Sequence, residues 1–132
     1  MSKITTDKLR TLDGTKEIAT STLVKGDAKN WRGSAKAWVN FKGQNTVFIR
    51  NSLGVSSLTD NGTGNYTTHW SCLFAGADYS CVSDSAMANQ TESDSRVNGV
   101  ATSYVSLLNH MQNSPYYADP PLFTATAHGD LA

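Results

Sequence analysis

The sequence predicts an all-β chain: an antiparallel β-sandwich or small barrel of about seven strands, preceded by an extended N-terminal arm. Three observations carry this expectation. Apolar and polar residues alternate with period two in several short runs, the signature of half-buried strands. Turn chemistry recurs between those runs, as in Lys42-Gly43-Gln44-Asn45 and Asp60-Asn61-Gly62. No stretch carries the 3.6-residue spacing of an amphipathic helix. At 132 residues the chain has the size of one domain plus a tail, which places an arm over 1–30 and a sandwich over 31–132.

Within the first 30 residues Ile4, Leu9, Leu12, Ile18 and Leu23 are isolated among Thr, Asp, Lys and Gly. Such a segment buries little by itself, so these five residues are the expected contacts of an assembly arm that orders against another surface. Breaks at Asp13-Gly14 and Lys25-Gly26-Asp27 divide it into short pieces.

From Ser34 the pattern changes. Ala37, Val39 and Phe41 alternate with Trp38 and Asn40, a strand whose partner is Thr46 to Arg50. Val55 to Thr59 and Asn65 to Ser71 form a second hairpin around Asp60, Asn61, Gly62 and Gly64, with Asn61-Gly62 expected to supply the positive φ angles of the reversal. In its second strand Tyr66, Thr68 and Trp70 share one face. Tyr79 to Ala86, Val100 to Leu108 and Leu122 to His128 complete the strands. The polar stretch Met87 to Asn98 and the segment Asn109 to Asp119 read as surface loops, with Asn89, Glu92, Asp94, Tyr116 and Tyr117 as candidate binding residues.

Formal net charge is zero, yet ten of the eleven basic residues lie in the first fifty positions, where four acids leave a balance of +6. The remainder carries −6. This asymmetry suits either docking on an acidic surface or a solvated exterior. No run approaches the roughly 18 apolar residues of a membrane span, and Met1-Ser2-Lys3 leads into polar residues rather than an apolar signal stretch, so cytoplasmic synthesis without membrane insertion is expected. Cys72 and Cys81 fit a reducing compartment and are expected as buried or half-buried thiols rather than a disulfide.

Catalytic patterns are missing from the sequence. His69, His110 and His128 stand far apart, and Cys72-x8-Cys81 has no companion at a metal-binding spacing. Asn51-Ser52-Leu53-Gly54 lacks the first glycine of a nucleophile elbow, and Gly62-Thr63-Gly64 lacks the lysine of a phosphate loop. Asp84, Glu92 and Asp94 have no apolar wall to raise a carboxyl pKa. A non-enzymatic protein without metal or cofactor is expected. Trp31, Arg32, Lys36, Trp38, Phe41 and Lys42 interleave aromatic and basic residues, but Trp38 and Phe41 fall on opposite faces of one strand, which assigns the pattern to core packing rather than to nucleic-acid stacking.

Together, AKAWVNFKG (35–43), TVFIRNSLGVSSLTDNGTGNYT (46–67), AGADYSCV (75–82) and the terminal FTATAHGDLA (123–132) resemble a family of small β domains in structural proteins of tailed bacteriophages, of the tail-fibre and receptor-facing type. The chain differs from that pattern at Leu53-Gly54, where an aromatic-Asn pair is usual, and at Thr68-His69-Trp70. The resemblance implies a virion component made in the host bacterial cytoplasm, working by assembly and attachment as a homotrimer in contact with other tail or capsid proteins and with a host-surface glycan or protein. A capsid decoration (cement) or head-fibre protein is the alternative, its basic arm lying on the shell.

Overall fold

The computed structural model describes residues 8–10, 17–19, 34–87, 93–111 and 116–132. The chain divides into two compact units, Met1–Arg32 and Gly33–Ala132. In the first, β1 (Lys8–Arg10) pairs antiparallel with β2 (Glu17–Ala19), setting Leu9 opposite Ile18. Ile4, Leu12 and Leu23 lie outside the described residues.

The second unit is an all-β sandwich of eight antiparallel strands: β3 (Ala37–Lys42), β4 (Phe48–Leu53), β5 (Val55–Gly62), β6 (Asn65–Trp70), β7 (Ser80–Ala86), β8 (Ser93–Ala101), β9 (Tyr104–Met111) and β10 (Leu122–His128). They form two four-stranded sheets, ordered β4-β3-β10-β7 and β5-β6-β9-β8. No helix occurs among the described residues. The chain builds a hairpin in the first sheet, crosses at Gly54 to build a hairpin in the second, returns for β7, crosses again for β8 and β9, and ends in the middle of the first sheet as β10.

Period-two alternation explains the central strands. Ala37, Val39 and Phe41 of β3 and Phe123, Ala125 and Ala127 of β10 point into the core. They meet Tyr66 and Trp70 of β6 and Val105 and Leu107 of β9. The centre is aromatic: Phe41 stacks on Phe123 with ring centroids 5.1 Å apart, and Tyr66 meets Phe41 edge-on at 5.0 Å. These geometries are the ones that ring quadrupoles favour. Thr68 is buried beside them, so the expected Tyr66-Thr68-Trp70 face is the core face of β6. Trp38, on the opposite face of β3 from Phe41, is only half-buried.

Two strand expectations are corrected. Val100 to Leu108 is not one strand but a hairpin, with β8 ending at Ala101, a turn at Thr102-Ser103, and β9 starting at Tyr104. No glycine or proline marks that turn. It is held from outside, by the Phe74 N–H on the Thr102 carbonyl at 2.9 Å and the Trp70 N–H on the Ser103 carbonyl at 2.8 Å. The polar stretch Met87 to Asn98 likewise contains the start of β8, an edge strand that needs few apolar residues because one of its faces meets water. The structure therefore has one more strand in the sandwich than expected.

Three of the four edge strands pair through a bulge: β4 with β3 at Asn40/Phe41, β5 with β6 at Val55/Ser57 and Asp60/Gly62, and β8 with β9 at Val97/Gly99. Bulges twist exposed edges away from flat pairing with other chains. Phe41, fully buried between Tyr66 and Phe123, should matter far more than Phe48, which is 48% exposed on β4. We expect Phe41→Ala to cost about 3–5 kcal/mol in urea unfolding and Phe48→Ala to cost less than about 1 kcal/mol.

Candidate functional site

Strand directions sort the connections into two groups. Those joining β3 to β4, β5 to β6, β7 to β8 and β9 to β10 all lie at one end of the sandwich. The segment entering β3 and the segment leaving β10 lie at the other, where the Lys36 N–H bonds the Ala127 carbonyl and the Ala132 N–H bonds the Leu73 carbonyl, both at 2.9 Å. The described candidate residues within the sandwich fall at the far end.

That end is organised by Asp119. Its Oδ1 accepts the Gly64 N–H and the Tyr66 hydroxyl, each at 2.7 Å. Gly64 has φ +63°, and a Cβ there would stand 2.5 Å from the Asn109 carbonyl oxygen and 2.9 Å from Ala118 N, so only glycine fits. Its own carbonyl accepts the Asn109 N–H at 2.8 Å. Asn109 is fully buried and bonded through both ends of its side-chain amide: its nitrogen donates to the Ala118 carbonyl at 2.8 Å, and its oxygen accepts the Ser85 hydroxyl at 2.6 Å. Ser93 lies 2.8 Å from the Ser85 hydroxyl, so the polar chain reaches from β9 across both sheets. The Gly43 N–H bonds the Pro120 carbonyl at 2.9 Å, tying in the β3–β4 turn. Three connections and the ends of β7 and β8 thus share one polar clasp.

The hairpin turn differs from expectation in detail. Asn61 remains within β5 with an ordinary negative φ, and the reversal occurs at Thr63-Gly64, with positive φ at Gly62 (+121°) and Gly64 (+63°). A bulge between Asp60 and Gly62 absorbs the extra residue, and the Asp60 carboxylate accepts the Gly62 N–H at 2.9 Å. Asp94 lies in β8 rather than in a loop, exposed, opposite His110 and paired with Arg96. Tyr116 is 71% and Tyr117 46% exposed. Tyr117 bridges His110 in antiparallel fashion, its ring meeting the imidazole edge-on at 4.2 Å. Asn89 and Glu92 lie outside the described residues. Asp60, Gly62, Gly64, Asp94, Tyr116 and Tyr117 therefore belong to one end of the molecule, although 57 positions separate the first from the last.

Asp119 and Asn109 were not singled out by their neighbours in sequence. A signal existed for Asn109: in Val105-x-Leu107-x-Asn109 it occupies the third inward position of an otherwise apolar alternation. Asp119 had no such mark.

At the opposite end Trp70 donates its indole N–H to the Tyr79 hydroxyl at 3.0 Å, and Tyr79 reaches the carbonyls of Ala101 and Tyr104. Cys72 and Cys81 are free thiols, both half-buried. Burial pushes both upward, Cys81 to about 11. Such thiols stay protonated and weakly nucleophilic near neutrality. Among the described residues no three His, Cys, Asp or Glu side chains converge as metal ligands, and no helix is long and apolar enough to cross a membrane.

The clasp predicts a graded mutational response: Asp119→Ala, which strands two buried donors, should lower unfolding stability by about 2–4 kcal/mol, and Asp119→Asn, which keeps an acceptor, by distinctly less. Burial, then the Asp119 bond, raises the Tyr66 phenol far above its usual value. A raised pKa favours the protonated form in the fold, so its contribution is complete below about pH 10 and is lost as pH climbs above that. Alkaline unfolding should show this slope, and Tyr66→Phe should flatten it. At pH 8 alkylation of Cys81 by iodoacetamide should run ~100-fold slower than for an ordinary thiol.

Comparison with protein-family models, with curated proteins and with solved structures gives no match for this chain.

Proposed function

We propose that this chain is a non-enzymatic structural protein of a tailed-bacteriophage virion, a tail-fibre or tail-tip module for assembly and host-surface attachment. The observation that carries the reading is the separation of the sandwich into two ends. The segments entering β3 and leaving β10 lie at one, and the clasped β3–β4, β5–β6 and β9–β10 connections, with Tyr116 and Tyr117 exposed among them, face the other. A domain tethered at its base and presenting shaped loops at its tip suits attachment. The resemblance of the AWVNF and VSSLTDNGTG stretches to receptor-facing phage domains points the same way.

The segment before Ser34 is the assembly element in this reading. Six of its residues form the β1–β2 ladder, with Leu9 opposite Ile18, and a homotrimer would repeat the loop-bearing end three times so that weak contacts add as avidity. A capsid decoration protein is the second reading, favoured by the +6 balance of the first fifty residues, which suits an acidic shell.

Immunogold labelling of virions with antibody to the chain is expected to mark tails. Label confined to heads selects the decoration reading, and virions without label overturn both. Light scattering of the full chain should give a trimer mass, and removal of residues 1–30 should give a monomer; a full-length monomer would remove the trimer.

A further inference from the structure

Across the outer face of the β5-β6-β9-β8 sheet runs a trough that the loops do not form. Registration of the strands lays its floor: Thr59 pairs with Thr67, Thr67 with Ser106, and Ser106 with Gly99, so one row of small side chains, ending in none at all, crosses all four strands. The adjoining row raises one wall, because His69 pairs with Tyr104, and their rings stand 6.1 Å apart at a tilt of 53°. Asn61, displaced by the bulge in β5, stands on the other side. The open depression has a volume of about 420 Å³ and is lined by Thr59, Asn61, Thr67, His69, Tyr104 and Ser106. That volume lies within the range of small-ligand clefts, roughly 300–1,000 Å³. Its lining comes from β5, β6 and β9, and with strands ~4.8 Å apart it is about 10 Å long.

The polar groups are fixed in position before any ligand arrives. The Asn61 amide donates to the Thr67 hydroxyl at 2.9 Å, and the Thr59 hydroxyl lies 3.3 Å from His69 Nε2. Each retains capacity for a ligand: Thr67, accepting from Asn61, keeps its own proton to donate, and the Asn61 amide oxygen keeps two lone pairs. Tyr104 is 40% exposed, offering part of an apolar ring and a hydroxyl to the trough. None of the six lining side chains carries a permanent charge, and Arg96, the guanidinium of the next strand, is paired with Asp94. A polyanion finds no counter-charge here, and a purely apolar ligand would strand hydroxyls and amides.

The geometry points to this trough as a binding site for a neutral oligosaccharide, whose ring C–H face rests on Tyr104 and whose hydroxyls exchange hydrogen bonds with Asn61, Thr59, Thr67 and Ser106. It rests on and deepens the attachment reading proposed above by naming a ligand class, and it adds a recognition surface on a sheet face to the loop tips. Rigid elements hold such a constellation more closely than loops do.

Gly99 supplies a clean test, since a Cβ there meets nothing within 4 Å and its φ lies outside the left-handed region. Gly99→Leu therefore places a bulky side chain beside Ser106, at the β8 end of the row, without touching the core. The full chain, isotopically labelled, is titrated by NMR with cellohexaose, laminarihexaose, maltohexaose and chitohexaose, and with polygalacturonate as the charged comparison. At least one neutral hexasaccharide is expected to shift the amides of Thr67, Tyr104 and Ser106, with affinity falling at least about tenfold in Tyr104→Ala and in Gly99→Leu while the melting temperature of Gly99→Leu stays near that of the parent. No shift with any neutral sugar, binding by polygalacturonate alone, or binding unchanged in both variants overturns the inference. Immunogold labelling answers the virion reading separately: a chain found on tails that binds none of these sugars sinks the trough and spares the virion assignment, and the converse result does the reverse.

Discussion

One carboxylate holds the far end of the sandwich together. Asp119 receives the Gly64 N–H and the Tyr66 hydroxyl on a single oxygen, and Tyr66 is also the ring against which Phe41 and Phe123 pack. The same side chain therefore belongs to the aromatic core and to the loop scaffold. A buried phenol unable to find an acceptor would be costly, and the segment carrying Asp119 can approach only because Gly64 has no Cβ to meet Ala118 and Asn109. Core packing, turn chemistry and loop placement are here one constraint seen from three sides.

The opposite end is built by different means. Phe74 stacks on Tyr79 with centroids 4.0 Å apart, and the Tyr79 hydroxyl accepts from Trp70 while facing two backbone carbonyls of the β8–β9 turn. Gly129 admits this arrangement, since a Cβ there would stand 2.5 Å from the Tyr79 Cβ. Aromatic residues with one polar atom thus close the base, whereas hydrogen bonds through Asp119 and Asn109 close the tip. The polar tip can stay polar because the Gly64 N–H, the Tyr66 hydroxyl and the Asn109 amide each find an acceptor, which is the condition for burying such groups.

Much of the fold was legible in the residues. Alternation in Ala37 to Phe41, Asn65 to Trp70 and Leu122 to His128 marked the central strands, because a strand covered on one face must alternate. The β8–β9 turn was not legible, since Thr102-Ser103 has no intrinsic turn signal and is fixed by donors from Trp70 and Phe74, more than 25 positions earlier. Edge strand β8 was hidden for a related reason: its polar composition describes its exposure, not its backbone. At the site, Gly64 was readable as a permissive position, but the need for glycine comes from Asn109 and Ala118, which no local rule connects to it. The trough was the least visible feature, since it exists only once registration puts Thr59, Thr67, Ser106 and Gly99 in one row.

The placement of both connections at the base also fixes how the domain bears mechanical load. β3 and β10 are adjacent and antiparallel, with Ala37 opposite Ala127 where the chain enters and leaves. Tension between those two connections would peel the pair apart one hydrogen bond at a time. Tension between the base and the far tip runs along the strand axes instead and loads many bonds at once in shear. The sandwich is therefore weakest when pulled by its own chain and strongest when something grips its tip and drags.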